Sequence, residues 1–149
     1  MGWIAPDSVG VDERVRDVLG QLVARDPLFH QRHLTATADD VERETAEEFW
    51  ETGASGTRYS REVVVDDLAR RYAADPVDES VRDGWAISDV HMKEIPPSTY
   101  LLTYTLHGQG RVTRRLTVWQ GDPEQGWKVL YHQGTVVEDT HGAAAAGWS

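Results

Sequence analysis

Three stretches decide the fold: Tyr100 to Leu106 (YLLTYTL), Val112 to Gln120 (VTRRLTVWQ) and Trp127 to Val137 (WKVLYHQGTVV). Each is dense in Val, Leu, Thr, Tyr and Trp, which pack well on a pleated surface. The links between them, His107 to Arg111 and Gly121 to Gly126, are short, polar and rich in glycine, so they predict antiparallel neighbours. A fourth strand, Trp85 to Ile95, comes first, with a bulge expected near Asp89. Pro96-Pro97 then turns the chain into the meander.

The N-terminal half reads as helical. Val11, Val15, Val18, Leu19 and Leu22 recur at three- and four-residue steps, the spacing of one apolar helix face. Asp26-Pro27 stops that helix, because proline disfavours helical geometry in the residue before it. Phe29 and Leu34 anchor a polar connector to a second helix. Thr37 is its expected N-cap, with Asp39 and Asp40 at the positive end of the dipole. Continued through Glu47 and Glu48, this helix would turn only Val41, Thr45, Ala46 and Phe49 inward and would lie on the rim.

Residues 49–52 and 57–59 flank Gly53-Ala54-Ser55-Gly56 and predict a small hairpin or extended turn. Ser60 caps a third helix with Val64, Leu68 and Tyr72 four apart, closed by Asp75-Pro76. Helices first and strands last give an α+β domain with its helices on one sheet face. The expected organisation is an extension over 1–10, one domain over 11–138 and a loose tail over 139–149.

Composition bounds the function. The chain has 149 residues, enough to bury a core without staples, and no cysteine, which excludes zinc–thiolate, disulfide and thiol redox chemistry. Its formal charge of −10, from 25 acidic and 15 basic residues, argues against nucleic acid and anionic membranes as partners. No apolar run is long enough to span a bilayer. The first residues show no basic segment followed by an apolar one, so the expected location is cytoplasmic.

The order of elements, ending in a Trp-led strand, resembles the nuclear transport factor 2-like cone fold. The segments 49–56, 102–104, 115–119 and 127–135, with the closing His132-Gln133-Gly134-Thr135, are similar to the DUF4440 branch of that superfamily, near the SnoaL-like and ketosteroid-isomerase-like proteins. The likeness spans about residues 11 to 137, with Thr117 standing where serine is more usual. It implies about three helices on a curved, mostly antiparallel sheet, an open cavity and frequent homodimerisation. It leaves the activity open, because the superfamily hosts isomerases, dehydratases, cyclases, epoxide hydrolases and binding modules.

Adjacent strand residues point to opposite faces, so one of Arg114 and Arg115 must face the helices. The resemblance favours Arg115, beside Thr113, Thr117 and Trp119. Two roles fit an inward cation: an anchor for a carboxylate ligand, or an ion pair with Glu51 or Asp89. His132 and Gln133 divide between faces in the same way. Pairing of Val118 with Val129 would put His132 on the Arg115 face, and a one-residue slip would reverse it. There His132 serves either as a neutral base or as a core histidine bonded to a carbonyl.

Trp50, Tyr104 and Trp119 are candidate apolar walls, with Tyr59, Trp85, Trp127 and Tyr131 as further aromatics. For catalysis, Asp89, His132 and Tyr104 are the candidates, with Glu51 as a second carboxylate. No metal site or cofactor is expected: His30-x-x-His33 lacks a third ligand at a suitable spacing. Gly53 to Gly56 lacks the second glycine of a nucleophile elbow, and Gly108-Gln109-Gly110 precedes no helix that could cradle phosphate. Three functions fit: binding a small anionic or polar-headed organic molecule at Arg115, His132 and Gln133; an isomerase, dehydratase or cyclase with Asp89 or His132 as base; or a non-catalytic dimer module. Bulky groups on both faces of 112–120 predict a homodimer through the sheet.

Overall fold

The computed structural model describes residues 13–28, 31–35, 37–74, 85–108 and 110–137. Along the chain these form α1 (Glu13–Arg25), the single turn α2 (Arg32–Thr35), α3 (Ala38–Glu44), β1 (Thr45–Thr52), β2 (Arg58–Ser60), α4 (Arg61–Ala74), β3 (Ala86–Ile95), β4 (Thr99–Gly108), β5 (Arg111–Asp122) and β6 (Gly126–Val136). The proposed extension over 1–10, the tail over 139–149, Val11, Phe29 and Asp75-Pro76 lie outside the described residues, as does the side chain of Tyr72.

Six strands make one sheet in the order β2-β1-β6-β5-β4-β3. The meander β3 to β6 is antiparallel throughout, as its short links require. Gly121 makes the last link possible: it sits at φ 136°, and a Cβ there would collide with the carbonyl oxygen of Gly126. The hairpin β1–β2 does not stand apart. It joins the meander by parallel pairing of β1 with β6, Glu51 lying opposite His132.

Register shifts interrupt β1, β3 and the β5–β6 pair, and such bulges bend the strands that carry them. The bulge expected near Asp89 lies between Ser88 and His91, with Asp89 itself at φ 51°. Aspartate tolerates that conformation better than most residues.

Val15, Val18, Leu19 and Leu22 of α1 pack in the core with Leu102, Tyr104 and Leu106 of β4, Trp119 of β5 and Val129 of β6. Each such side chain contributes roughly 1.5–3 kcal/mol when fully buried, so α1 is held to the sheet by its apolar stripe. Val64, Val65 and Leu68 of α4 close the same core.

One helix is shorter than the sequence predicts. Thr37 does cap α3, accepting from the Asp40 amide at 3.1 Å while the Asp40 carboxylate accepts from the Thr37 amide at 3.1 Å. The helix nevertheless ends at Glu44, and Glu47 and Glu48 lie in β1. The cause is tertiary. Arg61, opening α4, donates to the Glu42 carbonyl at 2.7 Å and to the Thr45 hydroxyl at 3.0 Å, covering the end of α3. Buried Glu44 pairs with Arg25 of α1, and β6 offers residues 45–52 a free strand edge.

Candidate functional site

The β5–β6 register sets which residues face the helices. Val118 lies opposite Tyr131 and Trp119 opposite Val129, across a bulge, in place of the expected Val118–Val129 pair. Because Tyr131 is two residues from Val129, the parity of the strand around His132 is unchanged. His132, opposite Thr117, therefore shares the inner face with Arg115, and Gln133 does not.

A cavity of about 550 Å³ opens between α4, the turn after β1 and the inner face of β5 and β6. That volume lies in the range of small-molecule sites. Its exposed rim includes Ser55, Arg70, Arg71 and Arg111, and its walls include Val63, Val64, Leu68 and Val129. Asp26, Leu28, Thr117 and His132 form the buried end.

Asp26 is the residue that sequence reasoning missed. It follows α1 directly, and Pro27 turns the chain so that the carboxylate points at the sheet. One oxygen, Oδ1, accepts from the hydroxyls of Thr117 at 3.2 Å and Tyr104 at 3.3 Å and from the Leu28 amide at 3.4 Å. The other, Oδ2, accepts from Trp119 Nε1–H at 2.9 Å. Burial pushes this carboxyl above the ordinary aspartate range, and the Trp119 donor and nearby His132 oppose that shift only in part. Burial beside the Asp26 charge likewise holds the Tyr104 hydroxyl well above its usual value. The missed signal was an acid at the foot of an apolar helix, opposite three inward-facing donors on β4 and β5.

Arg115 lies alongside. Its Nε–H donates to Thr113 Oγ1 at 2.9 Å, and its guanidinium lies where a Gly134 side chain would stand, within 3.2–3.3 Å of an added Cβ. No carboxylate among the described residues makes an ion pair with it. Desolvation pulls its proton affinity below the ordinary arginine value, and Tyr104 and Glu51 oppose this through their charge. Such a cation is poised to accept an anion. On β6, His132 Nδ1 lies 3.3 Å from Glu51 Oε2.

Other candidates from the sequence stand elsewhere. Asp89 is on the outer face, 64% exposed at its side chain, and is 3.4 Å from Arg114, not Arg115. The bulge turns it away from the cavity. Trp50 is 48% exposed and stacks against Tyr131, whose hydroxyl donates to Gln133 Oε1 at 2.6 Å. Trp50 and Gln133 are thus outer-face residues, set there by strand alternation. Tyr104 and Trp119 are inside but behind the cavity surface, bonded to Asp26, with the Arg25 guanidinium 5.8 Å from the Trp119 ring centre. His30 lies outside the described residues, as does the side chain of His33. Among the described residues no group of three or more His, Asp or Glu could hold a metal ion, and no helix is long and apolar enough to cross a membrane.

Helices on the inner side of a bulged, mostly antiparallel six-stranded sheet, with a cavity between them, define the nuclear transport factor 2-like cone, also described as cystatin-like. The solved structures agree. A DUF3225 protein of unknown function from Pectobacterium atrosepticum matches at 14% identity and a TM-score of 0.61, over 90% of this chain and 98% of its own. A cystatin-like-fold protein from Caulobacter vibrioides matches at 12% identity and a TM-score of 0.61, over 91% of this chain and 96% of its own. A proposed ketosteroid isomerase from Parabacteroides distasonis matches at 10% identity and a TM-score of 0.57, over 86% of this chain and 94% of its own. No protein-family model matches the chain. No curated protein matches it by sequence. The fold is therefore shared, and the DUF4440 likeness rests on the sequence segments alone.

Proposed function

We propose that this chain binds a small organic molecule in its cone cavity, with a polar or anionic head on Arg115 and an apolar body against Val63, Val64, Leu68 and Val129. The observation that carries this reading is Arg115 itself: half-buried, lining a cavity and without a carboxylate ion pair among the described residues. A lone cation kept partly out of water is costly unless a ligand compensates it. His132, 3.3 Å from Glu51, adds a second polar contact. Native mass spectrometry of protein purified from its own host tests the reading. A co-purifying compound should be present in the parent and lost in Arg115→Ala with the fold retained; its retention in that variant would remove Arg115 as the anchor.

A second reading, a proton-transfer enzyme of the isomerase or dehydratase type, is favoured by Asp26. A carboxyl raised by burial and set beside a tyrosine hydroxyl at a cavity end has the chemistry of a general acid or base. His132 with Glu51 is the alternative base in the same cavity. Retention of ligand without turnover in Asp26→Asn, against turnover by the parent, would support it.

A homodimer through the outer sheet face belongs to the same proposal. Trp50 and Ile95 are large apolar residues left exposed on that face. Sedimentation at micromolar concentration should give a dimer that Trp50→Glu dissociates; a monomeric parent would refute it.

A further inference from the structure

We propose that the bound molecule carries a dianionic head of the phosphomonoester type, held between Arg111 and Arg115, with Arg70 contributing from α4. This rests on the reading of the cavity as a ligand site and goes further by naming the head group.

Four arginines line the cavity in a chain whose formal charge is −10. Carboxylates were available to neutralise all of them, yet among the described residues only Arg71 is paired, with Asp67 at 2.9 Å. Among the described residues, Arg70, Arg111 and Arg115 have no ion pair. Arg111 and Arg115 are four apart on β5, so both project from its inner face toward one cavity. The two guanidinium groups repel each other, and that repulsion adds to the desolvation of Arg115.

The acids that line the cavity relieve it only from a distance: among the described residues none forms an ion pair with Arg111 or Arg115. Asp67 is engaged by Arg71, and Glu51 lies against His132 at 3.3 Å. Asp26 is held by four donors at the buried end and is displaced toward its neutral form.

Two mutually repelling cations are matched by one group with more than one charge and several acceptor oxygens. A carboxylate supplies a single charge and fits one guanidinium fork. A phosphomonoester supplies a charge near −1.5 to −2 and three acceptor oxygens, enough for both. The apolar wall of Leu28, Val64, Leu68 and Val129 next to that cation pair calls for an apolar body on the same molecule.

Three probes with one apolar body test the inference: 2-naphthyl phosphate, 2-naphthoate and 2-naphthol, titrated calorimetrically into the whole chain at fixed ionic strength. The phosphate should bind about tenfold more tightly than the carboxylate, the effect of one further charge-assisted contact, and the neutral alcohol should bind most weakly. Arg111→Gln, an exposed position whose change leaves the melting temperature in place, should abolish the phosphate advantage while keeping naphthoate affinity. Arg115→Gln should weaken both anions. Equal affinity for phosphate and carboxylate, or an advantage that survives Arg111→Gln, would overturn the inference and leave the cavity a ligand site. Failure of all three probes to bind would overturn both readings.

Discussion

Arg114 and Arg115 are covalent neighbours with opposite surroundings. Arg114 stands on the outer face, 56% exposed, donating to Thr105 Oγ1 at 2.7 Å and lying 3.4 Å from Asp89. Arg115 stands on the inner face over Gly134, with Thr113 as its partner and no carboxylate in ion-pair reach among the described residues. One is a solvated surface pair; the other is a cation held ready at a cavity. Strand alternation alone separates them, because among the described residues the helices pack on the inner face. An arginine therefore acquires a candidate role from what the opposite layer leaves open, not from its local sequence.

The largest way to break this contrast is to remove the inner support. Trp119→Ala should cost about 3–5 kcal/mol in urea unfolding, because it empties a fully buried site and takes the Nε1–H donor from Asp26 Oδ2. A loss under about 1 kcal/mol would mean that Asp26 and Trp119 are not coupled as described.

Next is Asp26 itself. Its carboxyl holds its proton more tightly in the folded chain than in the unfolded one, so its contribution to stability is complete below the ordinary value of 3.8 and is lost as pH rises through the raised folded value. Asp26→Asn removes that linkage. Its urea midpoint relative to the parent should therefore climb as pH rises above the ordinary value of 3.8. A constant offset as pH rises would show that burial does not raise the carboxyl.

Arg115→Met keeps the length of the side chain and removes an uncompensated charge. Ligand-free protein should gain about 0.5–1 kcal/mol in stability, as positions kept for function often do on replacement, while ligand retention is lost. The smallest effect is expected at Arg114→Met, within about 0.5 kcal/mol, because exposed ion pairs contribute little. Equal changes at the two arginines would erase the distinction between them.

How much of this was legible in the sequence depends on the range of the interactions involved. The meander, the bulge at Asp89, the Thr37 cap and the apolar face of α1 are local, written in residues a few positions apart. The length of α3 was not. Val41, Thr45 and Phe49 satisfy a helical spacing as well as the observed helix and strand, and Arg61 and the edge of β6 decide between them from a distance. Asp26 escaped for a similar reason: beside Pro27 it reads as a helix stop, and its donors Tyr104, Thr117 and Trp119 are 78 to 93 residues away.

By itself, then, the sequence determined the α+β class, the strand order of the meander and the division of Arg114 from Arg115, because period-2 and period-3.6 patterns are properties of the chain. Only the tertiary structure decided that β1 adds in parallel to β6, that Trp50, Asp89 and Gln133 look outward, and that the end of α1 delivers a carboxylate to the end of a cavity. Those outcomes depend on which distant surfaces meet, and burial, desolvation and pairing act only after they have met.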